Sequence, residues 1–375
     1  MATTFVPGVT LANRPATVNA LATDYVTPRS YNWSMGIRRE VGWGTAIDAT
    51  YSGYAARNME MMYDLNQVPD GARFLDLHPE NRDPTNNQAL PAEFLRPYRG
   101  YQNIRVRANT ANADYHSLQL QVNRRYIRGV QFGAAYTLSR ARGYADEDGD
   151  NQTIALNRPA SFFYSELVQS DRHSLIVNYS WDLPRMSANN PLARLLVNGW
   201  QLSGENAFVS GDWAPVVFTT ADSFDFTGGE GGNGACLTGN DTSAPPCLRI
   251  VRPVLVGNPT VDTPDPLTGW FNTAAFKRPA KGDYGNTPRN VIQKPGVINW
   301  NLAVFKNFEA GARRSLQLRC EVYNVLNAVE FQDIDRTARF DAAGNQINPN
   351  FGTATGIANP TRPPRVIQLS ARFSF

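Results

Sequence analysis

The chain has 375 residues, of which 42% are hydrophobic and 11% aromatic, and its formal net charge at pH 7 is only +3. So small a charge is not the signature of a nucleic-acid-binding protein, and no segment reaches the ~18 uninterrupted apolar residues that a transmembrane helix needs. Glycine (29 residues) and proline (25 residues) are abundant, as in turn-rich β-proteins. The composition excludes a helical membrane protein and leaves open one that is built from strands.

Residues 1–30 show no strand pattern. Pro7, Pro15 and Pro28 interrupt them, and proline removes a donor from a strand ladder. We therefore expect this segment to be an outer loop. Its opening Met-Ala-Thr-Thr-Phe-Val-Pro has no basic stretch followed by an apolar one, so it is not a signal peptide. An exported protein needs such a leader, which we expect to lie upstream of this sequence.

Nine later segments alternate apolar and polar side chains with a period of two, the pattern of a strand with one apolar face. Each is roughly ten to thirteen residues long, close to the ~9–11 that cross a bilayer at a tilt. We expect Tyr101 to Thr110 to continue into Tyr115 to Tyr126 as one bulged strand. The predicted strand regions are residues 31–55, 101–143, 172–210, 297–326 and 364–375.

The last strand shows the clearest alternation. Ile367, Leu369, Ala371, Phe373 and Phe375 share one face, and mostly polar residues share the other. An apolar strand face that ends in an aromatic residue fits an outer-membrane barrel. We expect Phe373 and Phe375 to form the C-terminal signal that the barrel-assembly machinery reads.

The connections alternate in length. Tight turns are predicted near residues 42–44, 128–129 and 309–313, whereas the connections at about 56–114, 143–171, 211–296 and 327–363 are long. The connection at 185–196 is of intermediate length. Outer-membrane barrels have short periplasmic turns and long extracellular loops. A soluble barrel or sandwich would instead fill its interior with apolar side chains. We therefore predict an all-β protein, an antiparallel transmembrane β-barrel of the bacterial outer membrane, in contact with lipid and lipopolysaccharide.

The strand count bears on completeness. Nine is odd, whereas single-chain bacterial barrels have an even number of strands and begin and end in the periplasm. We interpret residues 1–375 as the C-terminal part of a larger barrel, with 211–296 as its long outer loop.

Charged residues recur on the predicted polar face of these strands. One interpretation is that they contact a plug or a passing solute. The other is that paired charges simply make a water-facing wall polar. The predicted lumen wall comprises Arg38, Glu40, Arg125, Glu205, Arg319, Glu321 and Arg372.

Few other residues suggest chemistry. Cys236 and Cys247 lie close together in a loop and are candidates for a disulfide in an oxidising compartment. The acidic run 146–151 favours a solvated loop, with calcium binding as a lesser alternative, because its glycine is misplaced for an EF-hand. The three histidines lack metal-ligand spacing and no nucleophile motif is present. We predict no catalytic residue, no cofactor, no metal site and no nucleic-acid partner.

Several segments resemble the barrel end of TonB-dependent outer-membrane transporters, in particular the Oar-like group with an N-terminal carboxypeptidase-regulatory-like domain. The similar segments are 66–69, 115–119, 136–139, 269–276, 284–290, 294–301, 305–308 and 321–327. The resemblance implies about twenty-two strands, a plug domain inside the barrel and, separately, a TonB box. Plug and signal peptide are absent from this sequence, so contact with TonB would come only through missing N-terminal parts.

The function that the resemblance implies is uptake of an unidentified solute through a gated lumen, without enzymatic activity. A passive porin-like channel or a surface adhesion barrel is the alternative from the same pattern. A soluble carbohydrate-binding β-protein with long loops is a third and weaker hypothesis.

Overall fold

The computed structural model describes residues 17–144, 153–155, 160–168, 170–187, 190–222, 224, 226, 251–310, 314–358 and 363–375. The helices are α1 Ala92–Leu95, α2 Ala160–Phe163 and α3 Pro191–Val197, with 3-10 turns at Pro79–Asn81 and Thr273–Ala275. The strands are β1 Val18–Leu21, β2 Arg29–Gly42, β3 Thr45–Asp64, β4 Ile104–Ile127, β5 Val130–Gly143, β6 Thr153–Ala155, β7 Ser165–Glu166, β8 His173–Asp182, β9 Trp200–Val209, β10 Trp213–Ala214, β11 Val217–Thr220, β12 Val254–Leu255, β13 Phe276–Lys277, β14 Ile292–Gln293, β15 Val297–Ala310, β16 Arg314–Tyr323, β17 Phe331–Ile334, β18 Thr337–Phe340, β19 Ala354–Ile357 and β20 Val366–Ser374.

The large sheet has twelve strands, nine of which form an antiparallel path in the order β2-β3-β4-β5-β8-β9-β15-β16-β20. The short strands β1, β6 and β7 pair with β4, β3 and β5 off this path. Neighbours along the path are neighbours in the chain, as alternating strands joined by hairpins and loops require. The all-β class and the nine-stranded antiparallel arrangement predicted from the alternation are confirmed. Among the described residues β2 and β20 end the sheet, each with one neighbour along this path.

The two ends of the sheet differ in their connections. At the turn end, β2 joins β3 through residues 43–44 and β4 joins β5 through 128–129. Arg128 and Gly129 both have positive φ (53° and 79°), the backbone that a two-residue hairpin turn with the native strand twist requires. The long connections after β3, β5, β9 and β16 leave from the opposite end, the loop end. The connection from β8 to β9, residues 183–199, is the one long connection at the turn end among the described residues.

The β3–β4 hairpin extends far beyond the loop end of its neighbours. These strands have 20 and 24 residues, about twice what a bilayer crossing needs. Their register shifts between Ala56 and Met59, where Asn58 adopts a positive φ of 59°. Within the segment 1–30, expected to be an outer loop, Val18–Leu21 is a strand that pairs in parallel with the extended end of β4, whose length leaves backbone groups to pair there.

The segments after β9 and β16 fold into a compact unit at the loop end, here called the cap. Four small sheets pair β10 with β14, β11 with β18, β12 with β13 and β17 with β19. Phe218 and Phe340 are fully buried at its centre, with their ring centroids 5.8 Å apart. The cap therefore has a hydrophobic core of its own, although the sequence pattern indicates only loops there. Its buried residues are Ala214, Val216, Phe218, Phe226, Val251, Phe271, Ala275, Phe276, Ile292, Ile334, Ala338, Phe340 and Phe351.

Candidate functional site

The register of the large sheet divides its residues between an apolar face and a polar face. Residues paired directly across neighbouring strands share a face. Ile47, Val122, Ala134 and Val177 form one such row through four strands of the apolar face. Leu369 on the last strand is 76% exposed on that face. A water-soluble protein rarely exposes so extensive an apolar surface.

Aromatic residues border the apolar face at both ends. Towards the loop end, the Tyr51 hydroxyl lies 2.7 Å from His116 Nδ1, and the Tyr136 hydroxyl lies 2.8 Å from His173 Nδ1. Trp181 lies at the turn end of β8. Amphipathic rings with a polar tip suit the boundary between hydrocarbon and water.

The polar face holds most of the charged residues predicted to line a lumen. Arg319 and Glu321 lie 3.6 Å apart on β16, and Arg319 also donates to the side chain of Gln317 at 3.3 Å. Arg372 on β20 is the direct partner of Gln317. The structure thus brings Arg319, Glu321 and Arg372 together at one side of the sheet.

The other predicted charges lie apart from that group. Arg38 pairs across strands with Asp48, an opposite charge that the sequence pattern did not single out as part of the wall, and Glu40 pairs with Ala46. Both lie on β2, at the far side of the sheet. Arg125 lies beside a register shift near the turn, where its backbone N–H donates to the carbonyl of Gly44 at 3.0 Å.

Glu205 lies in a cross-strand row of amide side chains. This row lies between the charged residues of β16 and β20 and those of β2. The direct partners of Glu205 are Asn178 on β8 and Asn301 on β15. The row continues through Gly133, where a Cβ would lie 2.5 Å from the Asn178 Oδ1 and 3.1 Å from the Asn123 Oδ1. Two amide side chains therefore converge over this glycine. Composition alone did not indicate this row, because it follows from the register of several strands.

Above the apolar face at the loop end is a cavity of about 630 Å³ with charged walls. In the wall, Arg57 pairs with Asp114 at 2.5 Å. The wall residue Glu166 pairs at 2.5 Å with Arg140, which lies outside the lining. The Tyr164 hydroxyl donates to Asp114 at 2.8 Å, and burial together with this bond raises the pKa of Tyr164 to about 12. The phenol therefore remains a neutral donor throughout the physiological range.

Comparison with known proteins decides the family. Residues 2–368 match the family described as the outer membrane beta barrel domain. The chain belongs to this family. It is therefore an outer-membrane β-barrel protein of bacteria, and in such a protein the apolar face meets hydrocarbon, where only helices and closed barrels satisfy the backbone.

This outer-membrane barrel domain is also similar to solved structures. The outer membrane transporter YddB from Escherichia coli is 12% identical, with 96% of this chain and 34% of that chain covered and a TM-score of 0.39. The ferric-catecholate import receptor Fiu from E. coli is 9% identical (94% and 29% covered, TM-score 0.40), and the FrpB iron transporter from Neisseria meningitidis is 10% identical (96% and 32% covered, TM-score 0.36). The barrel domain spans about a third of the length of these chains. No curated protein matches the sequence.

Other candidate sites of this barrel protein can now be placed. Cys236, Cys247 and the acidic run 146–151 lie outside the described residues, so the disulfide and the calcium alternative stay predictions. Cys320 is a free, half-buried thiol on the apolar face of β16. The part of the chain that the structure describes holds no cluster of His, Cys, Asp and Glu able to bind a metal, and none of its helices is long and apolar enough to span a membrane.

Ion pairs hold the cap of this barrel protein together. Arg278 forms two hydrogen bonds with the carboxylate of Asp222, at 2.8 and 3.2 Å, and lies over the rings of Phe224 and Phe226. The hydrogen bond from Arg278 holds the pKa of Asp222 below its ordinary value of 3.8. Hydrogen bonds that Asn345 donates to the Asp341 carboxylate lower the pKa of Asp341 in the same way.

These shifts predict that the cap loosens in acid. A carboxyl group whose pKa is lower in the folded state contributes stability above its unfolded pKa and loses it as the pH falls through the folded pKa. We expect amides of β11 and β18 to lose hydrogen-exchange protection as the pH falls from about 5 through the unfolded pKa of ~3.9 and on towards about pH 2, after correction for intrinsic rates. Amides of β8 and β9 are the internal control. Asp222→Asn should reduce the pH effect; an unchanged effect would contradict this assignment.

Proposed function

We propose that this barrel is part of an energy-coupled, TonB-dependent outer-membrane receptor or transporter that takes up a solute through a gated lumen. The observation that carries the proposal is the continuous polar face opposite the apolar one. It runs through Asn178, Glu205 and Asn301, which pair directly across three strands. Along β15 it continues through Ala303 and Phe305, the direct partners of Glu321 and Arg319. A face of amides and charges suits the water-filled interior of a barrel.

The cap favours a receptor over the passive porin-like channel or the adhesion barrel. Loops with a hydrophobic core and the bidentate Arg278–Asp222 ion pair hold a fixed surface. Fixed polar groups bind a solute at lower entropic cost than mobile ones. In a receptor this surface would capture the solute before it passes the barrel. The alternatives remain outcomes of the experiment below.

The Oar-like subgroup is proposed from the segments that resemble it. Several of their residues are structural in the cap. Phe271 and Phe276 are in its core, and Thr287 is fully buried with its hydroxyl donating to the Pro253 carbonyl at 2.5 Å. Gly285 has a positive φ of 75°, and a Cβ there would lie 1.9 Å from the Arg252 carbonyl oxygen. The resemblance therefore includes residues that shape a cap, which supports shared architecture within the subgroup.

The partners follow from the same assignment. We propose that Arg319, Glu321 and Arg372 face a plug or a passing solute, and that TonB acts through parts N-terminal to this chain. Phe373 and Phe375, which are 58% and 93% exposed, would be read by the barrel-assembly machinery. Lipopolysaccharide would contact the arginine-rich walls of the cavity above the apolar face. Guanidinium groups there can donate two hydrogen bonds each to its phosphate groups.

Deletion genetics in the bacterium that encodes the chain tests this function. We expect deletion of its gene and deletion of the gene for TonB to abolish growth on the same solute, screened as a sole nutrient source. A defect that is independent of TonB would instead support a passive channel. Loss of surface attachment without any solute defect would support adhesion.

A complementing variant links the phenotype to the polar face. We expect the double variant Arg319→Gln and Glu321→Gln, expressed at normal levels, to slow uptake several-fold. Arg107→Gln, Glu60→Gln, which removes an exposed ion pair at 3.2 Å on the extended β3–β4 hairpin, is the matched charge-pair control. Equal uptake by the Arg319 and Glu321 variant and the unmodified protein would show that these charges only make the lumen wall polar and do not contact the solute.

A further inference from the structure

One connection at the turn end differs from the short turns beside it. Residues 183–199 join β8 to β9 and contain α3. Asn190 caps the helix, its side-chain oxygen accepting from the Leu192 N–H at 2.8 Å. The Asn198 amide exchanges two hydrogen bonds with the backbone of Met186, at 2.6 and 3.0 Å. The connection is thus a folded element rather than a slack loop.

Lys306 fixes α3 against the apolar face of the sheet. Its direct partners are Trp200 and Leu318, so this lysine lies on the face that meets lipid, yet it is only 5% exposed. Its ammonium donates to the carbonyls of Leu195 at 2.7 Å and Leu196 at 3.0 Å, and also to that of Asn198. The free carbonyls of a helix C-terminus carry partial negative charge and stabilise a cation.

Aromatic rings complete this contact. The Lys306 ammonium lies 4.9 Å from the centroid of the Trp200 ring and 5.1 Å from that of Phe308. The Trp200 indole N–H donates to the Leu196 carbonyl at 2.8 Å. A charge on the lipid-facing side of a barrel is costly unless it is paired. Here the last turn of α3 supplies that pairing, which places the helix on the outside of the barrel wall.

One face of α3 is apolar and exposed. Leu192, Leu195 and Leu196 have the i, i+3, i+4 spacing of one helix face. They are 69%, 45% and 66% exposed. This face continues the apolar face of the sheet at its turn end, the end that faces the periplasm in outer-membrane barrels.

We propose that α3 is an interfacial anchor that lies in the periplasmic leaflet of the outer membrane, with its leucines among phospholipid acyl chains. The occupant is lipid because the leucines continue a face that hydrocarbon already covers. A helix with exposed leucines on one face lies ~5–10 Å into the boundary between headgroups and acyl chains. Arg185, whose side chain is 82% exposed in the same connection, has the reach to contact lipid phosphates. This anchor is independent of any transported solute.

Depth-dependent fluorescence quenching tests the anchor. The full chain, with Cys236→Ser, Cys247→Ser and Cys320→Ser, receives Leu196→Cys and a bimane label. It is then folded into phosphatidylcholine vesicles brominated either near the headgroup or deep in the acyl chain. We expect quenching at 196, strongest with the shallow bromines. A label at Leu267→Cys in the cap is the water-exposed control and should be quenched several-fold less.

The outcomes separate lipid from other coverings of the helix. If bimane at position 196 is unquenched and its emission maximum lies at as long a wavelength as at position 267, α3 lies in water. Unquenched but blue-shifted emission would mean that protein, such as a second copy, covers the leucines. Either result overturns the proposal.

A second variant tests the role of Lys306. We expect Lys306→Met to release the end of α3 and reduce shallow quenching at 196, because three carbonyls lose the ammonium that donates to them and only the Leu196 carbonyl keeps the Trp200 indole as a donor. Lys294→Met, which removes a lysine paired with Asp212 at 3.3 Å in the rim of the cap, should leave quenching unchanged. Undiminished quenching in the Lys306 variant would show that another contact holds the helix.

Discussion

Val177→Arg should prevent insertion into a bilayer, whereas Ile176→Arg at the adjacent position should be tolerated. Val177 lies in the apolar row with Ala134, and Ile176 pairs with Ala135 and Ala207 on the polar face. An arginine on the lipid face costs ~2–4 kcal/mol at the bilayer midplane, but little on a wall that faces water. The measurement is the fraction of each variant that folds into phosphatidylcholine vesicles, scored by heat-modifiable migration.

This pair of variants is closely matched, because both change an aliphatic residue of β8 to arginine one position apart. Strand propensity and net charge therefore change alike. Equal insertion of the two variants would contradict the division of the sheet into a lipid face and a water face. Ile176 is informative because its side chain breaks the alternation, so that the register and not the residue type assigns its face.

Phe340→Ala should unfold the cap while leaving the large sheet intact. Phe340 is fully buried and packs on Phe218, which is also fully buried. Removing a buried phenylalanine side chain costs ~3–5 kcal/mol, a large share of the stability of a unit of this size. We expect residues 251–296 and 328–358 to lose hydrogen-exchange protection, while β8, β9, β15 and β16 retain theirs.

Leu267→Ala is the control in the same cap, since Leu267 is 71% exposed and buries little area. It should leave protection unchanged. Simultaneous loss of protection in the cap and the sheet of the Phe340 variant would show that they form one cooperative unit. The cap would then not be an independent layer on the barrel.

The sequence predicted the sheet well because its signal is local. In the last strand, Ile367 to Phe375 alternate without a break, and the structure pairs this segment with β16 in one continuous register. The same reasoning reaches Arg319, Glu321 and Arg372, because a period of two assigns a face to each residue. It does not predict which charged residues lie close together. Arg38 and Arg319 share the polar face but lie near opposite edges of the sheet.

The cap and α3 could not be predicted in this way. Val217–Thr220 pairs in parallel with Thr337–Phe340, more than a hundred residues away, and no local period marks such a pairing. Lys306 interrupts the apolar alternation of β15, and only its contacts with the end of α3 explain a lysine there. Such tertiary contacts override local pattern, which is where sequence-based inference is weakest.

The pairing of β11 with β18 also constrains the order of assembly. β15 and β16 lie between the two partners in the chain and belong to the membrane sheet. The second partner cannot reach the cell surface until that hairpin has threaded through the bilayer. The cap therefore completes its folding only after the membrane sheet has inserted. A barrel that stalls before this step would expose an incomplete cap.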